Sequence, residues 1–368
     1  MVKFTIVAGA YDALLSMSTF LFDSSAHSIQ LLDQFPGGTK NLWVTRHPTN
    51  TSVFYAIKNA TVNDEDGSEI LSFVVDKAGT MNLIDRANSR GEDAVYVGVT
   101  DAGRGLAVVN FSSGTAVSVP LQADNVTFGT TNGPTATFMG SGPDPRQPAS
   151  RPHEIVQYGD ELFVPDLGAD KIWRISRSEE NTVWNVSGFI QQPIGSGPRH
   201  IVAKDGVIYA LHELINTVTA QTIPPVGSST APKLLASFTT LPGDVAPGSE
   251  HGVAEIMMPP TSREFPEELL YISNRNTSPD PTLRDPRGDT IAIFATKPTL
   301  RLVRQFYTGL QQLRGVAVGG DRNQYIVAAG QVDGGMAVFE RIDQGRNLRA
   351  VARYQGEGAV QLVTFAWM

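Results

Sequence analysis

The chain contains no cysteine. That excludes disulfides, zinc–thiolate centres, iron–sulfur clusters and thiol nucleophiles. No apolar run approaches the about 18 residues of a membrane-spanning helix. No cluster of Lys and Arg offers the charge that nucleic-acid phosphates require. Net charge is −8, from 37 acidic and 29 basic residues. Neither a membrane nor a nucleic acid is therefore an expected partner. Heptads and 3.6-residue apolar stripes are nearly missing as well, so helices are not expected to build the fold.

What is present is turn chemistry. The 35 Gly and 23 Pro make up about one residue in six of 368. Hydrophobic content of 41% marks a globular chain. Its length suits two ordinary domains or one repeat architecture. RPHEIVQYGDELFVPDLGADKIWRI (151–175) and PRHIVAKDGVIYALHELINTVTAQTI (198–223) share one layout. Pro152 falls on Pro198, His153 on Arg199 and Phe163 on Tyr209. Short apolar runs alternate with turns at Gly159 and at Asp205–Gly206, the pattern of successive strands. Similar units read at 41–75, 94–119, 254–295 and 313–340. The leftover pieces, FTIVAGA…STFLFD at one end and VQLVTFAW at the other, make one more.

Such a period predicts an array of similar sheets. Sharing one blade between both termini closes a ring and hides strand edges. The expected fold is all-β: a single domain over 1–368, a seven-bladed β-propeller with one blade shared between the N- and C-terminal segments. A pair of β-sandwiches is the plainer alternative. Long Gly/Pro/Thr loops at 121–150, 224–250 and 276–290 are expected on the propeller faces, over a central pocket. The N-terminus reads as a strand ended by Gly9 and not as a cleavable signal. Six Asn-x-Ser/Thr sequons, at Asn50, Asn59, Asn110, Asn125, Asn185 and Asn276, suit secretion. A cytoplasmic protein is the expectation, with secretion as the alternative.

In a propeller the inner strands line one axial pocket. Polar residues at repeat-equivalent strand starts are His153, Arg199, Glu255 and Arg314. A second set follows the next apolar run: Asp166, His212 with Glu213, Asn274 with Arg275, and Gln331. Charge at a buried strand start is unfavourable unless paired. Pairing between blades is one reading of these residues, and a functional ring is the other. Two arginines offer planar forks for carboxylates, and a His with a Glu offers proton transfer near neutral pH. Alternation along a strand puts Arg199 opposite His200, and His212 opposite Glu213. A three-histidine metal site is thus not expected, and neither a metal nor another cofactor is invoked.

The phrases PHEIVQYGDELFVPDLGADKIWRI, GPRHIVAKDGVIYALHELIN, LLYISNRN…DTIAIF and LRGVAVGGDRNQYIVAAGQVDGGMAVF resemble the lactonase-type seven-bladed propellers. That family includes propeller-type bacterial 6-phosphogluconolactonases and the fungal 3-carboxy-cis,cis-muconate lactonizing enzyme. The resemblance runs from about residue 4 to 368, strongest over 151–215 and weakest over 86–150. By motif context it implies catalytic roles for His153, Arg199, Glu213 and Arg275. Arg199 and Arg275 would hold substrate carboxylates, and His153 or Glu213 would donate a proton. Arg314, Glu255 and His212 are the further substrate-binding candidates. The insert within 276–290, SPDPTLRDPRGDT after Asn276 and Thr277, departs from the pattern and adds Arg284 and Arg287.

The expected function is metal-independent chemistry on a small anionic substrate, a carboxylated unsaturated acid or its lactone, by carboxymuconate-type cycloisomerisation. Lactone hydrolysis of the 6-phosphogluconolactonase kind and a non-catalytic binding propeller are the alternatives.

Overall fold

The computed structural model describes residues 2–11, 17–35, 40–59, 67–130, 133–178, 183–228, 230–356, 359 and 361–368. Seven four-stranded antiparallel sheets follow one another around a ring. Blades 1 to 6 occupy residues 41–88, 94–137, 156–191, 198–239, 251–307 and 311–354. Blade 7 combines three N-terminal strands, spanning 3–35, with the C-terminal strand Leu362–Trp367. That last strand is innermost and pairs with Lys3–Ala10, Ile6 opposite Trp367. The seven-bladed propeller with a shared blade is therefore the fold.

Local sequence explains the strands. Second strands lie between neighbouring sheets and are apolar on both sides, so every residue of Gly105–Asn110, Glu161–Asp166 and Leu269–Asn276 is buried. An outermost strand such as Met81–Asn88 alternates half-buried with exposed after the buried Met81, as a half-wet edge should. Tight hairpins need φ > 0. Asp205 and Gly206 sit at 50° and 74°, which suits a two-residue type I′ turn. The seam between blades 6 and 7 is closed by aromatic edges: Phe4 and Phe22 pack against Tyr325 and Trp367.

The long loops are only partly face loops. Thr135–Thr137 is the outer strand of blade 2, and Leu234–Thr239 is that of blade 4. The following segment, 138–150, runs onto the face that carries the candidate site. There Gln147 Nε2 donates to Leu167 O and Asp170 Oδ1, both at 2.7 Å.

Every inner strand carries one extra residue at the same place. The irregularities fall between Asn41 and Trp43, Ala94 and Tyr96, Pro198 and His200, Val253 and Ile256, and Leu313 and Val316. Blade 3 has its equivalent between the Pro152–Asp166 bridge and the Val156–Phe163 pair. Blade 7 has it opposite Gly9 and Ala10. A β-bulge re-aims side chains and breaks strict alternation. Repeated seven times, it turns consecutive residues toward the axis.

Candidate active site

Register across the bulges sorts the axial residues into rings. One ring holds Leu42, Val95, His153, Arg199, Ala254, Arg314 and Val363. The next, one residue on, holds Trp43, Tyr96, Glu154, His200, Glu255, Gly315 and Thr364. Glu255 thus belongs to a deeper ring than His153, Arg199 and Arg314, with which the repeat alignment had grouped it. The ring contacts agree. His200 lies 5.4 Å from Trp43 and 5.8 Å from Tyr96 by ring centroids, and its Nδ1 is 2.9 Å from Glu255 Oε2. The expectation that Arg199 and His200 point apart is overturned. Both reach Glu255, Arg199 Nη1 at 3.3 Å from Oε1, because the bulge separates Arg199 from the pairing pattern.

Glu213 and Arg275 occupy equivalent positions at the ends of the second strands of blades 4 and 5, and they meet. Arg275 Nη2 is 3.3 Å from Glu213 Oε1, and Arg199 Nε is 3.0 Å from Oε2. Arg146, from the 138–150 segment, pairs with the same carboxylate. Burial works against the charge of Glu213, but Arg275, Arg199 and Arg146 outweigh it and hold its pKa at about 2. Arg275 is anchored in turn by the carbonyls of Gly252 and Val253 at 3.3 and 3.1 Å. Glu255 is likewise held below its usual pKa: burial opposes ionisation, and His200 and Arg199 overcome it.

His153 is buried, 8% exposed, between Phe111 and His200 at ring-centroid distances of 5.7 and 5.2 Å. Its Nδ1 has no hydrogen-bond partner. Burial, with Arg199, His200 and Arg314 nearby, holds its pKa well below the usual value, so the ring is neutral at pH 7. Arg314 is half-buried beside Tyr11, 5.8 Å from the ring centroid, and no carboxylate among the described residues pairs with it. Burial and the neighbouring Arg199 and Arg275 lower its pKa to about 10, which still leaves it charged.

The structure therefore brings together His153, Arg199, Glu213, Arg275, Arg314 and Glu255. It does not bring His212, which corrects that substrate-binding assignment. His212 is fully buried, with Nε2 2.9 Å from Gln192 Oε1 and Nδ1 3.1 Å from Thr217 Oγ1. By register it is the counterpart of Asp166 and Asn274. Asp166 accepts from the backbone N–H of Arg151, Gly168 and Ala169 and from Trp173 Nε1, which fixes the segment carrying His153. Arg287 is also outside the cleft, on the exposed rim with Asp244 and Asp285. Arg146, Tyr96 and Glu154 are axial residues that sequence reasoning did not find. The repeat alignment of His153 with Arg199 contained the signal for Glu154, as the neighbour matching His200.

A family model described as lactonase, 7-bladed beta-propeller, matches residues 5–365. The chain belongs to this propeller lactonase family. No curated protein matches it significantly. Among solved structures it resembles the periplasmic gluconolactonase PpgL of Pseudomonas aeruginosa, at TM-score 0.83 and 20% identity over 100% of this chain and 99% of that one. A putative 6-phosphogluconolactonase of Bacteroides uniformis gives 0.80 and 22%, covering both chains fully. One from Bacteroides fragilis gives 0.78 and 20%, over 100% and 98%. At these identities the likeness to each structure is one of fold.

In this lactonase-family chain a second carboxyl behaves oppositely to Glu213. Glu154 is buried, and its Oε2 accepts from Ile201 N–H at 2.6 Å. Burial raises its pKa to about 8, so at neutral pH it keeps its proton. Between its ordinary value of 4.5 and about 8 the folded chain holds a proton that the unfolded chain has released. Stability should therefore fall as pH rises through that window. Urea unfolding at a series of pH values should show this slope, and Glu154→Gln should reduce it. An unchanged slope in the variant would place the titration elsewhere.

Proposed function

We propose that the protein hydrolyses a lactone that carries an anionic group, such as a phosphorylated or carboxylated sugar-type lactone. The supporting observation is the pairing state of the cleft. Among the described residues, Arg314 has no ion-pair or hydrogen-bond partner and the Nδ1 of His153 has no hydrogen-bond partner, whereas Arg146, Arg199, Arg275, Glu213 and Glu255 pair with one another and Glu154 accepts from Ile201 N–H. Arg146, Arg199, Arg275 and Arg314 face two ionised carboxylates, Glu213 and Glu255. An anionic substrate restores that balance.

In this reading the neutral imidazole of His153 takes a proton from water as the oxygen attacks the lactone carbonyl. The oxyanion that forms is stabilised by the guanidinium groups at the cleft mouth. The ring C–O bond then breaks, and the proton on His153 passes to the departing alkoxide. The products are one hydroxy acid and a regenerated base. Ring closure of the carboxymuconate kind instead needs an acid to protonate carbon. Glu213 is ionised and neutral His153 is a very weak acid, so neither nominated donor suits protonation of carbon. The states of these two groups and the lactonase family match together support the hydrolytic direction.

The direct test is acid release, followed with a pH indicator, on 6-phosphoglucono-δ-lactone and glucono-δ-lactone, beside ultraviolet absorbance of 3-carboxy-cis,cis-muconate. Acid release with unchanged muconate absorbance is expected. Loss of muconate absorbance with inert lactones would overturn the proposal. Arg314→Ala should raise KM for the phosphorylated lactone by about 10–100-fold, the worth of a hydrogen bond to a charged group. It should affect the neutral lactone much less. Equal effects on both would remove Arg314 from anion recognition.

A further inference from the structure

A second cavity, of about 280 Å³, lies on the same face, between blade 5 and the segment that leads into it from blade 4. Its walls come from the two segments that interrupt the repeat, 241–246 and 282–288, together with His251, Asn274 and Thr290. Leu241, Pro242, Val245 and Leu283 make much of it apolar. On the rim, Asp244 accepts from Tyr307 Oη at 2.5 Å and from Arg287 Nη2 at 2.7 Å. Exposed pairs of this kind are worth little each, so they permit opening.

The informative residue is Asn274. Its counterparts in blades 3 and 4 are satisfied by protein. Asp166 accepts several hydrogen bonds, and both ring nitrogens of His212 have partners. In blade 5 the amide nitrogen is satisfied in the same way, by Thr240 O at 2.8 Å and Thr290 Oγ1 at 2.9 Å. Its Oδ1 is not, although the residue is 2% exposed. Buried acceptors are rarely left open, and this residue lines the cavity. Arg284 Nε, another lining group, is a buried donor without a partner. His251 Nε2 is 2.8 Å from Ser249 Oγ, whose proton goes to Ala246 O. That fixes the proton of a neutral His251 on Nε2 and leaves Nδ1 a bare acceptor.

We propose that this cavity beside blade 5 is a second small-molecule site, separate from the axial cleft, for a fragment-sized, mostly apolar molecule bearing one hydroxyl. A hydroxyl donates to one open acceptor and accepts from one open donor, which an amine or a ketone does not do equally well. The size follows from the volume, which falls just under the range of about 300–1,000 Å³ that holds drug-sized ligands. The cavity lies beside the proposed catalytic groups, since Asn274 adjoins Arg275 and His251 adjoins Gly252.

The test uses p-cresol and toluene, which share a ring and methyl group and differ in the hydroxyl. Calorimetric or ligand-observed NMR titration of the whole protein should show saturable one-to-one binding of p-cresol. A soaked crystal should place its hydroxyl within hydrogen-bonding distance of Asn274 Oδ1. Asn274→Leu should weaken p-cresol about tenfold, the scale of one hydrogen bond, and leave toluene within twofold. Ala246→Trp, on a partly exposed wall residue, should abolish binding of both while the thermal midpoint is retained. No saturable binding by the wild type, or equal binding by Ala246→Trp, would overturn the site. Equal losses of p-cresol and toluene in Asn274→Leu would overturn the hydroxyl specificity.

Discussion

Arg199→Ala is expected to lower the free energy of unfolding by about 3–5 kcal/mol, the range for removing one partner of a buried ion pair. Arg199 is 2% exposed and serves two buried carboxylates, Glu213 and Glu255. Its loss leaves both with fewer partners in a site too enclosed to rehydrate them. The change should appear as a lower urea midpoint at an unchanged m-value. The acid limb carries a second signature. Glu213 has a folded pKa of about 2 against an ordinary 4.5, so its contribution is present above pH 4.5 and is lost as pH falls toward 2. Without Arg199 that acid-dependent loss should shrink. A variant within about 1 kcal/mol of wild type, the scale of exposed pairs, would mean that the network is far more solvated than its geometry indicates.

His153→Ala is expected to lower kcat by about 10²–10⁴-fold, the usual share of a positioned general base. Its stability should change far less than that of Arg199→Ala. The ring's Nδ1 has no hydrogen-bond partner among the described residues, so no buried polar group is stranded by its removal. Because burial and adjacent cations depress its pKa well below 6.5, the base is available throughout the neutral range. kcat/KM on a lactone should accordingly stay level as pH falls from 8 through about 6.5, and should decline only below that. A profile centred on an ordinary histidine pKa would show that the folded cleft does not depress His153. Full activity in the variant would leave hydrolysis to another base.

The two substitutions separate two kinds of buried group. Arg199 is held by the protein and holds it together. His153 and Arg314 are left uncommitted by the protein, and those are the groups assigned to substrate. The same reasoning sets His212 aside. Its two ring nitrogens are already engaged by Gln192 and Thr217, and burial lowers its pKa to about 4.

The architecture was legible in the chain for a physical reason. Each blade is built locally, from strands of three to nine residues and turns that need Gly, Asn or Asp, so a blade leaves its imprint over a short span. The split seventh blade was legible too, because FTIVAGA and VQLVTFAW are each incomplete alone and pair as strands. Candidate axial residues followed from comparing units, and His153, Arg199, Glu213, Arg275 and Arg314 do converge.

What the chain did not reveal depends on single-residue offsets and long-range contacts. A bulge adds one residue and leaves no compositional mark. Alternation therefore placed Arg199 and His200 on opposite faces, and the repeat alignment put Glu255 one ring too shallow. Arg146 reaches Glu213 from a segment with no counterpart in other blades, so no internal comparison could find it. Local pattern, set by strand period and turn chemistry, determined the seven blades and the side chains near their axis. Only the tertiary structure decided which of those charges neutralise one another and which stay open, because pairing depends on distances between residues up to 67 positions apart in the chain.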